Sequence, residues 1–121
     1  LTGQISWFEN TTSILVPDTY KNYRFWRNTS VALLGAGQTA TLPAGTLGYE
    51  WDWEQPAYAV NNPSGRFTLS STTVTGKTHK LSLYRHSSGA LVFGAGTIQW
   101  SWGLDGTHDR GASTPRVIMQ A

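Results

Sequence analysis

The chain contains no cysteine and a single methionine, and only 13% of its 121 residues are charged. Without cysteine there is no disulfide framework, no thiolate metal site and no thiol nucleophile. Nine Lys and Arg against seven Asp and Glu give a formal charge of +2. That charge is too small and too scattered for a nucleic-acid partner, and the pI of 9.2 reflects few titrating groups rather than a basic patch. No apolar run approaches the roughly 20 residues of a membrane-spanning helix. The opening stretch LTGQISWFEN does not read as a signal peptide, so the compartment is left open, an exported origin included. What the chain does have is aromatic residues, 12% of the total with six tryptophans, which argues for an ordered, core-forming domain. Its length suits one domain over residues 1–121.

The dominant hydrophobic period is two, which predicts an all-β domain of about seven or eight mostly antiparallel strands, arranged as a sandwich or barrel. Residues 12–16 alternate before the turn signal Pro17-Asp18, and Tyr23-Arg24-Phe25-Trp26-Arg27 alternates in the same way. Residues 38–42 form a Thr-rich strand closed by Pro43-Ala44-Gly45, and residues 55–65 are the clearest loop. Residues 66–74 and 79–85 read as strands separated at Gly76. A turn at 86–89 leads into a strand from Ala90 that continues to Trp102, with glycines 94 and 96 marking a bulge or a close backbone approach. Only the end reads as helical: Ser113 or Thr114 caps, Pro115 suits the first turn, and an apolar stripe begins at Val117.

Three constellations are candidates for chemistry. In strand 47–54, Tyr49, Trp51 and Trp53 share one face with Leu47, and Glu50, Asp52 and Glu54 share the other. Such a row of carboxylates suits a hard metal, with Glu50 and Asp52 as the ligand candidates, or else it faces an arginine such as Arg24, Arg27, Arg66 or Arg85. Second, Asp105-Gly106-Thr107-His108-Asp109 offers metal ligands or ordinary turn chemistry. Third, the pairs Trp51/Trp53 and Trp100/Trp102, with Tyr49 at the rim, are either a stacking platform for sugar rings or core. The sequons at Asn10 and Asn28 matter only in a eukaryotic secretory route. Nothing assembles a nucleophile, a base and an orienting acid.

Four stretches, YRFWRNTS (23–30), GQTATLPAGTLGYEWD (37–52), LSSTTV (69–74) and LSLYRHSSGALVFGAGTIQWSWGLD (81–105), resemble the C-terminal part of bacterial N,N-dimethylformamidase large-subunit proteins. The resemblance implies a portion of a larger domain similar to a glutamine-amidotransferase-like fold. It further implies hydrolysis of a small amide at an iron held by two tyrosines and a glutamate. Glu50, in GYEWD, matches that glutamate, and the tyrosines lie upstream of Leu1. The residues by themselves require no cofactor; iron enters through the resemblance alone. A portion of a larger domain exposes sheet edges, so a homo-oligomer with shared or completed sheets is expected. Three functions follow as expectations: a non-catalytic binding or assembly module with a carbohydrate or small amide ligand, an amide hydrolase or part of one using Glu50, and a structural scaffold.

Overall fold

The computed structural model describes residues 6–107 and Met119. Nine short strands make up the described fold: β1 Ser6–Glu9, β2 Leu15–Pro17, β3 Thr39–Thr41, β4 Glu50–Trp53, β5 Phe67–Thr68, β6 Thr72–Val74, β7 Lys77–His79, β8 Ser82–Arg85 and β9 Leu91–Gly94. All pairings are antiparallel, in four small sheets: β1-β4, β2-β3, β5-β8-β9 and β6-β7. The fold is therefore all-β, in antiparallel sheets, and no closed barrel forms among the described residues. The expected C-terminal helix from residue 113 lies outside the described residues, Met119 excepted.

The first two sheets belong to one interrupted ribbon. The register Ser6↔Trp53 to Glu9↔Glu50 runs on to the bridge Thr12↔Leu47. It then shifts by three residues before Leu15↔Thr41, and turn 43–46 absorbs the difference. Thr46 secures that turn: its hydroxyl donates to Pro43 O at 2.7 Å and accepts from the Ile14 N–H at 3.4 Å. Ile14, Val16, Trp26, Val31, Leu42, Leu47, Trp51, Leu69 and Leu81 form the buried core. The β6–β7 hairpin closes at Thr75 and Gly76, both at positive φ (46° and 77°), the backbone that a two-residue turn between twisted strands requires.

Two expected strands are replaced by 3₁₀ turns. Residues 23–27 have no strand partner; the chain bonds to itself instead, Trp26 N–H to Tyr23 O at 2.9 Å and Arg27 N–H to Arg24 O at 3.3 Å. The turn drives the Trp26 ring inward, where its indole N–H donates to Leu69 O at 3.0 Å, and leaves Tyr23 and Phe25 partly exposed. The strand from Ala90 does not reach Trp102 either. It ends at Gly94, Gly96 adopts a φ of 60°, and Trp100–Gly103 is a 3₁₀ turn. Residues 66–74 and 79–85 also divide, into β5 and β6 and into β7 and β8, where the register shifts by one residue between Thr68↔Ser82 and Thr72↔His79.

Candidate functional site

Strand β4 lies between two neighbours. On one edge it pairs with β1; on the other it meets segment 96–98, where Asp52 N–H donates to Gly96 O at 2.7 Å and Ile98 N–H donates to Glu50 O at 3.3 Å. The close backbone approach expected at the glycines is therefore made by Gly96 to β4. Along this second edge runs an open groove of about 310 Å³ lined by Glu50, Trp51, Asp52, Gly96, Thr97 and Ile98. That volume is at the small end of the range for small-molecule sites.

The wall supplied by 96–98 is rigid because Thr97 is fully engaged. Its hydroxyl donates to Thr46 O at 3.1 Å and accepts from Gly48 N–H at 2.8 Å and Gln99 N–H at 3.3 Å. Gly48 is required for this approach, since a Cβ there would run into the Gln99 side chain. Ile98 is 54% exposed and gives the groove an apolar lip. Sequence reasoning passed over Thr97 and Ile98, whose role depends on a long-range bridge that no local pattern announces.

The acidic residues on and beside β4 have different surroundings. Glu50 and Asp52 both line the groove. Burial raises the Asp52 carboxyl above its ordinary pKa of 3.8, and no cation of the described residues pairs with it or with Glu50. Glu54 is different: Arg66 and Lys80 both form ion pairs with it. Burial pushes its carboxyl up, but those two cations outweigh burial and leave it below 4.5. Of the arginines considered as partners for this acidic row, Arg66 is the one that engages it. No group of three His, Cys, Asp or Glu side chains converges among the described residues. Glu50 and Asp52 thus supply two carboxylates with no third such ligand beside them among the described residues, and no complete metal site is formed by those residues alone.

The candidate tryptophans sit in different surroundings. Trp51 is 2% exposed; its indole N–H donates to Asn10 O at 3.2 Å, and its ring meets His79 edge-on at 5.9 Å between centroids. Trp53 is half-buried with the Lys77 ammonium 5.7 Å from its ring. Trp100 and Trp102 share no strand face, because both lie on the 3₁₀ turn; Trp100 packs 5.1 Å from Phe93, and Trp102 lies against Gly45. Tyr49 is half-buried, and its carbonyl accepts from Asn10 N–H at 3.0 Å. Among the described residues the exposed Phe and Tyr rings are Tyr23, Phe25, Tyr58 and Phe67.

Beneath the groove, His79 is fully buried. Its Nε2–H donates to Ala95 O at 2.8 Å, while Nδ1 has no partner, and burial lowers its pKa to about 4 against the raising effect of the Ala95 bond. In the Asp105–Asp109 segment, Asp105 Oδ1 accepts from Thr107 N–H at 2.8 Å, an Asx turn; His108 and Asp109 lie outside the described residues.

No curated protein and no solved structure matches the chain. A family model does, that of the N,N-dimethylformamidase beta subunit-like, C-terminal domain, over residues 1–113. With nearly its whole length matched, the chain belongs to the N,N-dimethylformamidase beta subunit-like, C-terminal family.

Proposed function

We propose that this domain is a non-catalytic binding module whose groove along β4 takes a small polyhydroxyl ligand, a carbohydrate in chemical class. The observation that carries the reading is the pair Glu50 and Asp52, set on an open groove and engaged by no cation of the described residues. Paired carboxylates accept charge-assisted hydrogen bonds from vicinal hydroxyls, and the exposed Ile98 offers an apolar contact for the C–H face of a sugar ring. Titration calorimetry against a panel of mono- and disaccharides tests the reading. At least one sugar is expected to bind, and the double variant Glu50→Gln/Asp52→Asn is expected to weaken it at least tenfold while the fold is kept. Silence across the whole panel overturns it.

A second reading has support in the family and in the uncompensated Asp52: the domain is part of an amide hydrolase, with Glu50 as one ligand of an iron site completed by polypeptide outside the described residues. The large-subunit, glutamine-amidotransferase-like setting belongs to this reading. Elemental analysis after iron loading distinguishes the two. Measured on a longer protein that carries this domain together with the upstream polypeptide, stoichiometric iron lost in Glu50→Ala favours the hydrolase, and no iron uptake by that longer protein retires it.

A further inference from the structure

The sheet β5-β8-β9 ends in a strand with one side unpaired. The hairpin joining β8 to β9 determines which main-chain groups lie on that side. Gly89 N–H donates to His86 O and His86 N–H donates to Ala90 O, both at 2.8 Å, so His86 occupies a bonded position of the ladder, opposite Gly89 and Ala90. Antiparallel ladders alternate bonded and non-bonded pairs. With the register Arg85↔Leu91, Tyr84↔Val92, Leu83↔Phe93 and Ser82↔Gly94, Val92 and Gly94 bond to β8, and Leu91 and Phe93 direct their main-chain groups away from it. No strand or bridge among the described residues takes those groups.

Exposed edges ordinarily carry a charge, a proline or a bulge that blocks pairing. Leu91–Gly94 (LVFG) has none of these, and Leu91 is 62% exposed. The strand is also held in shape from behind: Phe93 stacks on Phe25 at 5.4 Å and packs against Trp100 at 5.1 Å. An apolar edge with outward donors and acceptors at alternate positions complements itself.

We infer that two copies of the chain pair β9 against β9, antiparallel, about a two-fold axis at Val92, merging their sheets into one. In this register Leu91 of one copy and Phe93 of the other exchange main-chain hydrogen bonds on either side of the axis. Their side chains share a face, so the exposed Leu91 is covered by the Phe93–Phe25 stack of its partner. Val92 faces its own copy at a non-bonded pair, where Cα atoms approach to about 4.5 Å. The inference is independent of what the groove binds.

The chain's lack of cysteine makes the register directly testable, because Val92→Cys introduces the sole thiol and the expected separation is within disulfide range. Sedimentation equilibrium of the unaltered chain is expected to give a dimer at micromolar concentration. Leu91→Lys, a change at an exposed position, is expected to weaken dimerisation at least tenfold with the circular dichroism spectrum unchanged. Under oxidising conditions Val92→Cys is expected to run as a covalent dimer on a non-reducing gel, and Thr73→Cys, exposed on another strand, to remain monomeric. A chain that stays monomeric, or a dimer indifferent to Leu91→Lys and not cross-linked through position 92, overturns the inference. Should Val92→Cys misfold, Leu91→Lys decides alone.

Discussion

The two ends of the acidic row on and beside β4 are chemically alike and physically opposite. At one end Glu54 is clamped by Arg66 and Lys80, and its main-chain N–H is bonded to Thr78 O at 2.9 Å, so the carboxylate joins the chain after β4 to strand β7 and to the start of β5. At the other end Glu50 and Asp52 line an open groove without a cation, above a tryptophan that rests on a histidine with an unpartnered nitrogen. The first end stabilises the fold, and the second costs it something. Uncompensated polar groups held in a defined place are characteristic of sites that bind, since a ligand can supply what the protein withholds.

Asp52 and Glu54 shift in opposite directions, and the largest effect lies under the groove. The folded pKa of His79, about 4, is below its unfolded value of 6.5, so the unfolded chain takes up the proton first. The stability it contributes is fully present above pH 6.5 and is lost as pH falls through 4, amounting to about 3 kcal/mol by pH 4 at 1.36 kcal/mol per pKa unit. Urea denaturation from pH 7 to pH 4 is expected to show that acid limb. His79→Gln, which keeps a donor for Ala95 O, is expected to flatten it; an unchanged limb would mean that His79 is protonated in the fold.

A smaller effect is expected at the clamped end. Glu54 has a folded pKa below its ordinary 4.5, so its contribution is present above pH 4.5 and lost as pH falls through the folded value. Glu54→Gln is expected to destabilise the chain at pH 7 by about 0.5–1 kcal/mol, the modest figure reflecting partial exposure of the pair. As pH falls through the folded value the variant and the parent are expected to converge, which the same urea titrations measure.

How much of this was legible in the sequence depends on the range of the interaction concerned. The alternation in 47–54 is local; there Trp51, left open between stacking platform and core, is buried, and Glu50 and Asp52 on the other face line the groove. In YRFWR the same kind of alternation misled, because a 3₁₀ turn repeats every three residues and can place Tyr23 outward and Trp26 inward without any strand. Trp100 and Trp102 failed for a related reason: at Gly96 the chain turns, ending the strand on which the shared face depended. The groove wall needs Thr97 opposite Trp51, and the choice of Arg66 over Arg24, Arg27 or Arg85 needs β5 beside the end of β4. Both are consequences of tertiary packing that no window of ten residues contains.

The sharpest test of the comparison is its sign at Asp52. If burial without a cation raises this carboxyl, the folded state pays for ionising it, and the penalty is complete above the folded pKa and gone below 3.8, where the group is protonated folded or unfolded. Asp52→Asn is nearly isosteric and carries no charge, so at pH 7 it is expected to stabilise the chain, by less than about 1 kcal/mol because the site is half open to water. The gain is expected to vanish below pH 3.8, and sugar binding to fall in the same variant. Neutralising Glu54, two residues away, is expected to do the reverse on stability. Thermal melts of the two variants at pH 7 should therefore move in opposite directions. A common direction would mean that Asp52 has found a counter-charge in solution, and that the groove is a structural seam rather than a place for a ligand.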